Sequence, residues 1–110
     1  MPYINITTSA KLKDKKKLLE DISLLISSLT NKSKRFVMTK LDYNYAMYLE
    51  DESHCCFLEI KSIGSLSPSD MAKPISNFVH EKMGIPIDKI FTSLVDVPPS
   101  MWAWKGKTFG

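Results

Sequence analysis

Apolar and polar residues recur along this chain with two different periods, and the change of period marks out its elements. Tyr3–Thr7 (Tyr-Ile-Asn-Ile-Thr) alternates with period two and is rich in strand formers, which predicts a short strand. Leu18, Ile22, Leu25, Ile26 and Leu29 then fall at three- and four-residue steps, one stripe of a helix running from about Lys13 to Leu29. Arg35–Asp42 returns to strand-forming residues. A polar, tyrosine-containing loop follows over 42–53, and then the series restarts. Cys55–Ile63 reads as a strand with Cys56, Leu58 and Ile60 on one face and Phe57, Glu59 and Lys61 on the other. Met71, Ile75, Phe78 and Val79 give a second helical stripe ending at Gly84, and Lys89–Asp96 is a fourth strand. Proline inside a helix costs roughly 3 kcal/mol. The second helix is therefore expected to begin around Asp70–Lys73, with Asp70 as its cap and Pro74 in its first turn.

The two halves are offset by a nearly constant 53 residues, since Leu18, Ile22, Leu25 and Ile26 correspond to Met71, Ile75, Phe78 and Val79. A shared offset across strand, helix and strand marks an internal repeat. The expected architecture is α/β (α+β): one domain over 1–110, with pseudo-repeats at about 2–42 and 55–96 and an aromatic tail at 97–110. Two βαβ units make a βαββαβ subunit, a four-stranded mixed sheet with both helices on one face, plus short edge strands. The other face, carrying Tyr3, Asn5, Phe57, Glu59, Lys61, Phe91 and Ser93, has nothing left in the chain to cover it, so further copies of the subunit are expected there.

Composition narrows the function. Fifteen Lys and Arg against twelve Asp and Glu leave only +3, weaker than the clustered excess of a nucleic-acid binder. The βαββαβ topology also serves RNA-binding domains, but Arg35-Phe36-Val37-Met38 and Phe57-Leu58-Glu59-Ile60 lack their glycine–aromatic strand motif. No apolar run approaches the ~20 residues of a membrane span, and Met-Pro-Tyr-Ile-Asn is not built like a signal peptide. A cytoplasmic protein, or one released without a signal peptide, is expected. Cys55 and Cys56 are adjacent and form no CxxC pair, and His54 and His80 have no metal-ligand spacing. Neither a metal nor another cofactor is expected. The Lys11–Lys17 run opens the first helix and reads as a solvated face.

With histidine so scarce, a base must come from elsewhere. An initiator Met is commonly removed before a small residue such as Pro2, and the new terminus would be a secondary amine. An α-amino group titrates near about 7.7–8.0, and apolar surroundings or a nearby cation lower that further. Lys32, just past the first helix, is a candidate for that cation and for a carboxylate partner. At the end of the third strand, Gly64 frees the backbone, so the Ile63 N–H can meet a carboxylate or enolate oxygen. Trp102 and Trp104 share one side of an extended tail and read as core cover or as the aromatic wall of a pocket.

These segments taken in order (Met1-Pro2 before a strand, Asn31-Lys32, Lys61-Ser62-Ile63-Gly64, Ile85-Pro86-Ile87-Asp88-Lys89-Ile90, and Trp104-Lys105-Gly106-Lys107-Thr108-Phe109-Gly110) resemble the macrophage migration inhibitory factor family of the tautomerase superfamily over essentially the whole chain. The resemblance implies a homotrimer with an active site at each subunit interface and an unblocked N-terminal proline as base. It implies a phenylpyruvate-like, aromatic 2-keto acid as substrate. Pro2 would move its proton, Lys32 and the Ile63 N–H would bind its carboxylate, and Trp102, Trp104, Phe109 and Phe36 would line an aromatic pocket, some of them from the neighbouring chain. Phe91 stands where the family often has Tyr and Ser93 where it often has Asn, both at substrate-binding positions. Glu59 replaces the second Cys of the family's CxxC motif, and the loop before the second helix is about three residues short. The alternative implied function is that of a cytokine-like interaction protein with a vestigial pocket and a protein receptor as partner.

Overall fold

A computed structural model describes residues 1–110. Strand β1 (Tyr3–Thr8) leads into helix α1 (Lys15–Thr30) and strand β2 (Met38–Tyr43); strand β3 (Cys56–Ser62), helix α2 (Pro68–Met83) and strand β4 (Ile90–Asp96) repeat the unit. A short hairpin of β5 (Ala103–Trp104) and β6 (Lys107–Thr108) forms the tail. The sheet runs β2-β1-β3-β4, parallel within each βαβ unit and antiparallel where β1 meets β3. The repeat is thus a physical one: two βαβ units joined along their first strands.

Burial follows the sequence pattern. Ile4 and Ile6 of β1 and Leu58 and Ile60 of β3 point to one side of the sheet. There they meet Leu18, Ile22 and Ile26 of α1 and Met71, Ile75 and Val79 of α2 in one apolar cluster, which puts both helices on the same face. Three helical anchors in each unit are separated by the same 53 residues. The opposite face carries Met38, Tyr3, Lys61 and Val95 in one row across the strands, Lys40, Asn5, Glu59 and Ser93 in the next, and Asp42, Thr7, Phe57 and Phe91 in the third. No element of the chain covers these rows, and Phe91 is 54% exposed.

Local chemistry shifts several boundaries. Helix α1 starts at Lys15 because the Asp14 side chain accepts the Lys17 N–H at 3.0 Å, a cap that stabilises by about 1 kcal/mol. Helix α2 starts at Pro68 rather than within Asp70–Lys73. Proline needs no N–H partner at the first helical position, and the Asp70 and Met71 N–H groups both donate to the Ser67 carbonyl. Asp70 is therefore a first-turn acid, not the cap, and Pro74 lies in the second turn, where the Asp70 carbonyl loses its usual donor. Residues Lys34–Phe36 form a 3₁₀ turn capped by the Ser33 hydroxyl, so β2 begins at Met38 instead of Arg35. Both cysteines are buried, since Cys55 precedes β3 and escapes its alternation.

Lys89 departs from the usual exposure of lysine. Only 3% of it is exposed. Its Nζ donates to the Leu49 carbonyl at 3.0 Å and pairs with Asp51 at 3.1 Å, so it fastens the loop between β2 and β3 to the base of β4. Burial alone would lower its pKa, but Asp51 and Glu50 outweigh burial and hold it above the ordinary lysine value.

Candidate active site

The N-terminus is fixed at the end of the central strand. The Pro2 carbonyl accepts the Met38 N–H at 3.1 Å, and the next residue, Tyr3, pairs with Met38 on one side and Lys61 on the other. Pro2 itself is buried. One rung beyond the Tyr3–Lys61 pair, the register places Ser62 across from Pro2, and the buried Ser62 hydroxyl has no hydrogen-bond partner. Alternation along β3 already put Ser62 on the buried side with Cys56, Leu58 and Ile60; a polar residue at an inward position was the signal that could have singled it out.

Two cavities flank Met1. The larger, about 810 Å³, is walled by Pro2, Phe36, Trp102 and Trp104 and also touches Arg35 and Lys61. The smaller, about 350 Å³, holds Lys32, Ile63 and Phe109, with Phe36 shared between the two. Met1 lines both. Its amine titrates below the ordinary α-amino value, first because it is partly buried and second because the Lys32 cation repels a further positive charge.

Each wall has a local cause. Asn31 ends α1 in the left-handed region at φ +56°, and the Ser27 hydroxyl donates to the Lys32 carbonyl, which turns Lys32 back toward the N-terminus. Phe36 meets Trp104 edge to face at 5.7 Å between centroids. Lys105 lies 4.5 Å from the centre of the Trp104 ring, and Arg35 lies 5.3 Å from that of Phe36. Lys105 and Gly106 both have positive φ, +52° and +78°, as a two-residue hairpin turn of the mirror-image type requires. The Phe109 N–H donates to the carbonyls of both Pro99 and Trp102, so the hairpin is tied to the turn at Pro99–Met101 and its aromatics face the cavities.

The Ile63 N–H finds no acceptor within the chain. The turn that presents it runs through Gly64 at φ +66° and Ser65 at φ +60°. It is held by Asp96, whose Oδ1 accepts the Gly64 N–H at 2.9 Å. Asp96 is a positioning residue that the strand pattern alone did not single out.

Pro2, Lys32, Ile63, Phe36, Trp102, Trp104 and Phe109 thus converge around Met1 within one chain. Phe91 and Ser93 do not. They project from β4 on the uncovered face, where Phe91 shares a separate depression with Phe57, Met47 and Tyr48. The converging groups supply a cation, a free backbone donor, an amine of lowered pKa one residue away from Pro2, and aromatic walls. That set can bind a carboxylate beside an apolar group.

The family model for macrophage migration inhibitory factor matches residues 1–110. A curated homologue from Brugia malayi is 25% identical over the full length of both chains. The solved structure of a homologue from Prochlorococcus marinus superposes with a TM-score of 0.91 at 33% identity, covering 98% of this chain and 99% of that one. The structure of the protein from Trichinella spiralis gives 0.90 at 21% identity, covering 97% and 99%. The chain belongs to the macrophage migration inhibitory factor family, within the tautomerase superfamily.

Proposed function

We propose that this protein is a cofactor-free keto–enol tautomerase acting on phenylpyruvate-like 2-keto acids, with Pro2 as its base once the Met1–Pro2 bond has been cleaved. The observation that carries this reading is the lowered pKa of the terminal amine between two cavities, with Lys32 as one of its causes. Cleavage converts the Pro2 amide into a secondary amine at the same strand end, beside the same cation. Burial and the Lys32 charge, the causes that lower the Met1 amine, would act on it in the same direction and favour the neutral form that can take a proton.

In the proposed reaction the substrate carboxylate binds Lys32 and the Ile63 N–H, and its ring lies against Phe36, Trp102, Trp104 and Phe109. Pro2 N removes a proton from C3; the C3–H electron pair becomes the C2=C3 bond, and the carbonyl oxygen carries the charge. That oxygen then takes a proton from the Pro2 ammonium, which restores the amine. Nothing is oxidised or reduced, and the net change is ketone to enol.

The uncovered sheet face supports a homotrimer in which Phe91 and Ser93 reach a neighbour's site, since neither contacts the cavities of its own chain. A phenylalanine at 91 offers no hydroxyl, so proton delivery to the enol oxygen falls to Pro2 or solvent. The test follows ultraviolet conversion of phenylpyruvate enol to ketone by wild type and Pro2→Gly, with mass spectrometry confirming loss of Met1 in both. A drop of about 100-fold or more is expected for the loss of a general base, and equal rates overturn the mechanism. If several 2-keto acids fail with a free Pro2, the cytokine-like interaction protein is the function that stands.

A further inference from the structure

The two cavities beside Met1 together hold three cations and no carboxylate. Lys32, with the Ile63 N–H, meets the needs of one carboxylate. Arg35 and Lys61 remain, both in the larger cavity, and neither forms a salt bridge. An uncharged phenyl ring offers them no counter-charge.

Their placement makes them a pair. Arg35 belongs to the turn leading into β2, and Lys61 is the penultimate residue of β3. β1 lies between those strands and carries Pro2 at its end, so the two cations flank the strand end from opposite sides. The Arg35 guanidinium is held over the Phe36 ring, which restricts its position without neutralising it. The rest of the cavity wall is largely apolar, with Val97, Met101 and Trp102 among its residues. A cavity with an apolar lining and uncompensated charge of one sign concentrates ligands of the other sign.

We propose that the larger cavity is a second anion site, so that the preferred substrate is a 2-keto acid with a carboxylate at its far end. The first carboxylate binds Lys32 and the Ile63 N–H, and the distal one binds between Arg35 and Lys61. The choice of reacting end rests on the tautomerase function proposed above. Departure of Met1, which lines both cavities, opens the path between the two sites.

The test compares phenylpyruvate with 4-carboxyphenylpyruvate on the Met1-free protein. The ratio of their kcat/KM values is expected to favour the dianion by about tenfold at low salt, the size of one charge-assisted contact. That ratio should shrink as salt screens the pair. Arg35→Gln combined with Lys61→Met should bring the ratio toward one, whereas Arg35→Lys with Lys61→Arg should retain most of it. A wild-type ratio at or below one overturns the site, and because it needs no variant, a substitution that fails to fold does not rescue the proposal.

Binding gives a readout independent of turnover. Both tryptophans of the protein line the cavity, so their fluorescence reports 4-carboxyphenylacetate against phenylacetate. Tighter binding of the dianion, lost in the charge-removing variant, supports the site even if no keto acid is turned over. Proline-dependent turnover of phenylpyruvate with no dianion preference in either assay overturns the site and leaves the tautomerase function standing.

Discussion

Asp96→Ala tests how the carboxylate site is built. Asp96 lies at the end of β4, and its side chain accepts the Gly64 N–H at 2.9 Å. That bond braces a turn with two consecutive left-handed residues, one of which, Ser65, has a Cβ and adopts φ +60° at a cost. Without the brace the turn can relax, and the Ile63 N–H turns with it. A hydrogen bond to a charged acceptor stabilises by about 1.5–3 kcal/mol, but this one is exposed, and solvent reduces it to about 1 kcal/mol. If that energy holds the N–H in place, KM for phenylpyruvate should rise about fivefold. The value of kcat should change less than KM, because Pro2 and Lys32 stand on other elements. Asp96→Asn keeps a carbonyl acceptor and should recover most of the loss. Steady-state kinetics on the three proteins decides the matter: a KM for Asp96→Ala equal to that of wild type, or a fall in kcat at constant KM, refutes the bracing role.

Three further outcomes follow from the same physics. Lys32 helps to lower the Met1 amine, and the same repulsion should act on the Pro2 amine once Met1 is gone; Lys32→Met should therefore raise the Pro2 pKa and move the acidic limb of the pH–rate profile to higher pH, and an unmoved limb would contradict the coupling. Burial first, and the neighbouring Cys55 second, push the Cys56 thiol up to about 12, so Cys56 should resist thiol reagents at pH 8 until denaturant is added, as peptide mapping after a timed alkylation would show. Gly84 ends α2 at φ +69° with open space around a would-be Cβ, so Gly84→Ala should cost about 1 kcal/mol through backbone strain alone, measured as a shift in the urea midpoint at constant m.

The fold was legible because each half repeats one pattern. Alternation along 56–62 and the 53-residue offset of the helical stripes record the same event, one face of a βαβ unit turned toward a shared core. Boundaries were less legible where local hydrogen bonding overrode the pattern. Ser33 caps a turn that removes Arg35 and Phe36 from β2, and Pro68 starts α2 ahead of Asp70. Those shifts matter, since the turn at Lys34–Phe36 is what brings Phe36 between the two cavities.

In the site, residue types and order pointed to Pro2, Lys32 and Ile63, because an amine, a cation and a free N–H each have recognisable chemistry. Asp96 was not legible, and Ser62 showed only as a polar residue at an inward position of β3. Asp96 acts through a contact 32 residues away, and Ser62 is notable only because its hydroxyl is buried without a partner. The pairing of Arg35 with Lys61 likewise appears only once β2 and β3 are placed on either side of β1.

The central claim is that the free amine of Pro2, and not a side chain, is the base. It is tested most directly by exchange of the C3 protons of phenylpyruvate for deuterium, followed by proton NMR, on two proteins that differ only at the terminus. One has Pro2 exposed by loss of Met1; the other retains one added residue before Pro2, so that Pro2 N stays an amide. The account predicts exchange slower by at least about 100-fold in the extended protein. Equal exchange in both would contradict it.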